Sequence, residues 1–332
     1  MPSASQEYAS NSPTNPSTTT WRQRLSGGAI DASFRLLSAL AKRHPRANLT
    51  RHGVEKIYDL PYLDDQDPSH RLDVYRPIDR TGLLPAVVYL HGGGFRILSK
   101  DTHWLMGLLF ARAGYVVFNV NYRLAPAHPF PAALEDSADA LSWIATHAAD
   151  YGGDVKRLVF AGESAGANLS ASLAIASCQE REEPYAQKIF NLGIVPKVVL
   201  PACGMLEVSR PERLFDATMP RWLMDRVKLV SDAYLADFPE GPARALADPL
   251  CILEETQTWD RPLPAFFSAV GGRDLLLNDT RRLHYALKDQ AVHSVSRLYH
   301  GEPHAFHAFI WRAQARQAWR DMIAFTDDTI AA

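Results

Sequence analysis

Five short apolar runs, separated by helix-like segments, constrain this chain more than anything else in it. Ala86–Leu90, Tyr115–Val120, Arg157–Ala161, Lys197–Leu200 and Phe266–Val270 are nearly continuous in apolar residues and rich in β-branched and aromatic side chains. A strand that is apolar on both sides is one covered on both faces, and such strands belong to parallel sheets. Between the runs, Ala132–Ala148, Ala165–Ala176 and Asn278–Asp289 read as helices. An earlier run, His70–Tyr75, alternates instead, with Leu72 and Val74 on one side, as a half-buried strand does. Val295–Tyr299 reads as a last strand. Strand alternating with helix predicts βαβ units and an α/β fold, a mostly parallel central sheet flanked by helices.

Two stretches stand outside this rhythm. From Trp21 to about Leu49, Ile30, Phe34, Leu37 and Leu40 recur at helical spacing, and Pro45 ends or kinks the segment. From Met205 to about Leu253, Trp222, Leu223, Val227, Val230, Tyr234 and Leu235 occur without a strand pattern. That segment reads as helices inserted between two sheet strands, either a lid over a site or ordinary decoration. Residues 1–20 are rich in Ser, Thr, Asn and Pro and lack both the positive start and the apolar run of a secretory signal. They are expected to be a disordered tail. Residues 21–332 are then a single domain.

Composition narrows the function classes. A chain of 332 residues, 47% hydrophobic, can bury a core without staples. A formal net charge of -2 offers no basic surplus for nucleic acid or an anionic membrane. No apolar stretch reaches the roughly 18 residues of a spanning helix. Cys178, Cys203 and Cys251 form no metal-type spacing, and so sparse and odd a count fits a reducing compartment. The cytoplasm is the expected location, and the composition leaves open whether the chain forms a homodimer.

The sharpest local signal is Gly162-Glu163-Ser164-Ala165-Gly166, which follows one predicted strand and opens a predicted helix. This context suits a nucleophile elbow, where a tight turn projects a serine hydroxyl above the sheet and the helix N-terminus favours negative charge. The bland alternative is a plain strand–helix turn. A second signal, His91-Gly92-Gly93-Gly94, follows directly on the strand ending at Leu90. Three glycines leave backbone N–H groups unobstructed, as donors to an oxyanion must be. A phosphate-cradling loop would need a Gly-Lys-Ser/Thr sequence that does not follow.

A serine nucleophile needs a base, and the base needs an acid to orient it. On a serine elbow of this kind both follow in chain order, acid before base. Asp274 comes just after the strand Phe266–Val270, at the strand end where sites of open parallel sheets gather. Its rival, Asp279, is expected to cap or face solvent on the next helix. Candidates for the base are His300, His304 and His307. His304 is preferred, because it lies in the loop after the last strand, whereas His300 ends that strand and His307 is expected to start the final helix. A metal reading of the three histidines lacks the His-Glu-x-x-His pattern, and Pro303 breaks a helical register. No metal or organic cofactor is expected. His103, His128, His147 and His284 default to surface or structural roles.

With these motifs in view, the chain resembles the hormone-sensitive lipase family of esterases. The matching text is His91–Phe95, then Asn121-Tyr122-Arg123-Leu124-Ala125-Pro126-Ala127-His128-Pro129-Phe130-Pro131-Ala132-Ala133-Leu134-Glu135-Asp136, then Gly162–Gly166 with Asn168. The resemblance runs from about Asp73 to the C-terminal helix. It implies an α/β-hydrolase fold with Ser164 as nucleophile, His304 as base and Asp274 as acid. It also implies oxyanion donors from the N–H groups of Gly93, Gly94 and Ala165, with Gly92 forming the turn and His91 and Glu163 as supporting motif residues. A cap would come from about 21–49 and 205–253, and Tyr122–Asp136 would brace the floor of the site. The chain departs from the family's usual text at Glu163 (more often Asp), Leu275 (commonly Pro) and Ala305 (usually Gly). The expected activity is hydrolysis of a small or medium-sized carboxylic ester through an acyl-enzyme, falling with protonation of a base of ordinary pKa near 6.5. Amidase, arylformamidase, lactonase, dehydratase and specialised-metabolism esterase readings keep the same residues. A non-catalytic small-molecule receptor would typically lack part of the triad, which is complete here.

Overall fold

The computed structural model describes residues 32–33, 36–79, 81–215, 219–236 and 238–332. The expected tail, and Ile30 and Phe34 of the expected first helix, lie outside them. Among the described residues eight strands form one sheet: β1 (Val54–Pro61), β2 (Arg71–Pro77), β3 (Leu84–Leu90), β4 (Val116–Val120), β5 (Gly153–Glu163), β6 (Val198–Ala202), β7 (Ala265–Gly271) and β8 (Ser294–Tyr299). Their spatial order is β1-β2-β4-β3-β5-β6-β7-β8. β1 and β2, and β2 and β4, pair antiparallel, and every later pairing is parallel.

The nearly continuous apolar runs have a direct cause. Successive strand residues face opposite sides, and both sides are covered. Val88, Phe118 and Phe160 lie in one apolar cluster, with α2 (Ala132–His147) and α3 (Ala165–Cys178). Their neighbours Val87, Val117 and Val159 lie in the other, with α1 (Trp104–Arg112) and the C-terminal helix. Tyr75, Val87, Val117 and Val159 are fully buried, and each such side chain stabilises the fold by about 2 kcal/mol. Trp104 belongs to this second layer, as the first residue of a helix the periodicity did not reveal.

The remaining helices are α4 (Pro184–Asn191), α5 (Arg221–Leu235), α6 (Pro249–Glu255), α7 (Leu277–Asp289) and α8 (Ala313–Ala331). α5 and α6 occupy the stretch between β6 and β7 that reads as inserted helices. Leu206, Val208, Val227, Tyr234, Leu246 and Leu250 from this stretch join the same apolar cluster as Val88 and Phe160. The insertion is therefore built onto the core. Near the N-terminus residues 36–42 are helical, and Pro45 falls where a 3-10 turn, Pro45–Ala47, replaces the helix. Leu37 and Leu40 there are exposed, 62% and 51%.

The order of strands decides where a site can form. From β3 the chain moves outward to β4, then returns to β5 on β3's other side and continues to β8. β3 and β5 thus flank the point where strand order reverses, and the crevice beyond their C-terminal ends is the natural binding place in an open parallel sheet.

Candidate active site

Ser164 sits in the turn between β5 and α3 with φ 54° and ψ −114°, a region that residues with a Cβ rarely occupy. Its surroundings hold it there. Its N–H donates to the Ala202 carbonyl at 3.0 Å, and its carbonyl accepts from the amides of Asn168 (3.3 Å) and Met205 (3.2 Å). The flanking glycines are sterically required: a Cβ on Gly166 would overlap the Leu90 carbonyl oxygen, so β3 and α3 could not pack this closely. Ser164 itself is only half-buried.

The glycine loop leaves β3 beside this elbow, since Leu90 pairs with Gly162. Gly93 has φ 120°, a left-handed conformation that suits glycine, and a Cβ there would overlap the Ile97 carbonyl oxygen. The amides of Gly93 and Gly94 donate to no backbone carbonyl among the described residues. Ala165 is the first residue of α3, where a helix leaves its N–H without an intrahelical partner. Among the described residues, then, none of the three N–H groups expected as oxyanion donors is given to a backbone carbonyl.

His91 braces the loop from below. Its ring stacks on Tyr122 at 4.3 Å between centroids, its Nδ1 lies 2.8 Å from the Gly92 carbonyl, and the Tyr122 hydroxyl donates to the His91 carbonyl at 2.6 Å. Burial, reinforced by the neighbouring His103, pushes its imidazole down to about 3, so it is neutral. Tyr122 therefore supports the floor, as expected of its segment, and Arg123 locks that segment by donating to Asp136.

Glu163 lies beneath the elbow. It accepts from Tyr89, lies 2.5 Å from His103 Nε2 and 3.6 Å from His307 Nε2. Burial opposes its charge, but the two histidines outweigh that and hold the carboxyl well below its ordinary value. Burial likewise opposes charge on His103, and the Glu163 carboxylate reverses the balance and raises it. His307 thus belongs to this buried cluster. It lies in the 3-10 turn Phe306–Ala308 and does not start the last helix, which begins only at Ala313.

Asp274 and His304 meet. Asp274 follows β7, with its N–H on the Gly271 carbonyl at 3.1 Å and its Oδ1 accepting from the Leu276 amide at 2.9 Å. Its two carboxylate oxygens lie 3.0 and 2.9 Å from His304 Nδ1. The Asp274 side chain is fully buried, while that of His304 is 36% exposed. Ala305, after the histidine, is left-handed with φ 54°, which explains why glycine suits that position.

The other sequence candidates go elsewhere. Asp279 does not face solvent. It is fully buried, accepting from the Leu206 amide at 2.9 Å and pairing with Arg213, so it anchors the segment after β6. Residues 277–279 open α7 against the insertion, which no helix periodicity could show. His300 is one residue past β8 and exposed.

Sequence reasoning missed Cys203. It directly follows β6 with φ 38°, fully buried, and its sulfur lies within 4.8 Å of ligand atoms of both Asp274 and His304. This is the metal-capable grouping among the described residues, although its imidazole and carboxylate already bond to each other. Burial pushes the Cys203 thiol up, so it stays protonated at neutral pH. Burial also works against a charged His304, while a charged Cys203 and the Asp274 carboxylate would each raise the imidazole above its ordinary value. With the thiol neutral, the carboxylate is the group that does so.

Comparison with known proteins places the fold. Residues 87–308 match the family described as the alpha/beta hydrolase fold. The chain belongs to that family. Over 190 residues it is 38% identical to the carboxylesterase NlhH of Mycobacterium tuberculosis, covering 57% of this chain and 52% of the relative. The chain thus spans about half the length of that relative. An esterase of Pyrobaculum calidifontis shares this α/β-hydrolase fold with a TM-score of 0.70 and 26% identity, covering 92% of this chain and 94% of the other. An esterase from the bacterial hormone-sensitive lipase family shares it with a TM-score of 0.66 and 23% identity, covering 92% and 98%. The α/β-hydrolase fold expected from the motifs is the fold found. No helix among the described residues is long and apolar enough to cross a membrane.

Proposed function

We propose that this α/β hydrolase is a serine esterase that cleaves small or medium-sized carboxylic esters through an acyl-enzyme. One observation carries the reading. The Asp274–His304 pair stands at the same C-terminal sheet edge as the strained, half-buried Ser164 and the amides of the glycine loop. The similarity to NlhH, which is named a carboxylesterase, supports the choice of ester.

In this mechanism His304 takes the Ser164 proton as the hydroxyl oxygen bonds to the ester carbonyl carbon. The carbonyl oxygen becomes an oxyanion held by the N–H groups of Gly93, Gly94 and Ala165, each worth on the order of 3 kcal/mol of barrier. The imidazolium then protonates the leaving alcohol, and the neutral ring later draws a proton from water to release the acid. Asp274 fixes the tautomer with the proton on Nδ1 and stabilises the imidazolium. The segment 205–253 acts as a cap, supported by Val230 lying against Gly94. Three free cysteines support a cytoplasmic location.

The test is direct. Ser164→Ala should abolish most turnover of 4-nitrophenyl butyrate and all labelling by a fluorophosphonate probe. Equal rates for wild type and Ser164→Ala would refute the proposal.

A further inference from the structure

Most partly buried arginines near the insertion have a carboxylate. Arg123 pairs with Asp136, Arg213 with Glu207 and Asp279, and Arg282 with Glu207 and Glu254. Arg96 breaks the pattern. It lies two residues beyond Gly94, in the turn that its own N–H closes on the Gly93 carbonyl at 3.2 Å. Its Nε is buried with no hydrogen-bond partner, and no ion pair involves it among the described residues. The charged group that acts on it is another cation, Arg226 of α5, itself half-buried and without a carboxylate among the described residues. Burial, helped by this second cation, weakens Arg96's hold on its proton.

The two are placed at the site. A Cβ on Gly94 would come within 2.8 Å of Val230, so α5 lies directly against the glycine loop. Arg226 precedes Val230 by one helical turn and shares its face. A chain of net charge -2 has carboxylates to spare, yet among the described residues none is set against these two cations. Desolvated like charges are costly, and the group that relieves them is an anion, best a planar carboxylate that accepts from a guanidinium at two points.

We propose that Arg96 and Arg226 form a carboxylate-binding subsite beside the glycine loop, so that the preferred ester carries a free carboxylate remote from its scissile carbonyl. This rests on the esterase reading above. The carboxylate belongs to either the acyl or the alcohol part, and paired substrates distinguish the two: mono-4-nitrophenyl adipate against 4-nitrophenyl hexanoate, and 4-acetoxybenzoate against its methyl ester. Wild type should favour the anionic member of one pair in kcat/KM by at least about tenfold, the factor one charge-assisted hydrogen bond supplies. Higher salt should erode the preference. Arg96→Gln and Arg226→Gln should each reduce the ratio most of the way to one, mainly through KM, whereas Lys228→Gln, exposed on the same helix, should keep it. Equal rates within both pairs for wild type, or a ratio unmoved in both arginine variants, would overturn the subsite. If no ester is turned over and Ser164 takes no fluorophosphonate, the esterase reading fails by itself. The subsite is then judged by calorimetry with Ser164→Ala: arginine-dependent binding of the adipate ester over the hexanoate supports it, and equal binding refutes it.

Discussion

His304 and Glu163 show how burial and charge trade off at single residues. In the proposed mechanism the free base is the neutral imidazole, and the Asp274 carboxylate raises His304 above its ordinary 6.5. The acidic limb of kcat/KM should therefore lie above pH 6.5, in place of the ordinary value expected from sequence. Asp274→Asn should lower kcat by about 10⁴, as loss of the orienting carboxylate does in serine hydrolases, and move the limb down. A limb at or below 6.5 in wild type would contradict this. Glu163 is a stability matter. Replacing it with Gln strands His103 in a buried site and should cost about 3–5 kcal/mol, measured by urea unfolding. The sign with pH follows from the two shifts. Glu163 is lowered, so its contribution is present above 4.5 and lost as pH falls through its depressed value. His103 is raised, so its contribution is full below 6.5 and lost as pH rises through its elevated value. The gap between wild type and Glu163→Gln should be widest between those two ordinary values and shrink on either side.

Among elements, the joint between α3 and the insertion matters most. Asn168, one turn into α3, donates through Nδ2 to the carbonyls of Met205 (2.9 Å) and Ala247 (2.8 Å), and Ser172 donates to Leu246 at 2.8 Å. Asp248 accepts from the amides of Val208 and Ser209, the latter at 2.9 Å. The helix that opens at Ser164 thus carries the inserted segment on its next turns. Asn168→Ala leaves two buried carbonyls unpaired, each costing about 1–3 kcal/mol. Hydrogen exchange should quicken in 205–215 and 242–250 before it quickens in β3 or β5, and uniform loosening would count against this joint.

Across the whole molecule, one apolar cluster runs from the sheet into the insertion, with Val88 and Phe160 at one end and Tyr234 and Leu250 at the other. Phe95 of the glycine loop stacks on Tyr234 of α5 with centroids 3.6 Å apart. Sheet and insertion should then unfold together, giving coincident urea transitions by tryptophan fluorescence and far-UV circular dichroism. Two separated transitions would mean that the insertion folds by itself. The elbow, the glycine loop, the strands and the acid and base candidates were legible in the text because each depends on neighbours in sequence: a glycine where backbones touch, an apolar run where both faces are covered. The partners across space were not. Nothing local distinguishes a solvent-facing Asp279 from one buried under Leu206, sets Cys203 beside His304, joins His103 and His307 on Glu163, or brings Arg226 to Arg96. Local sterics are encoded residue by residue, whereas the charge balance of a buried group is a sum over everything packed around it, and only the folded chain performs that sum.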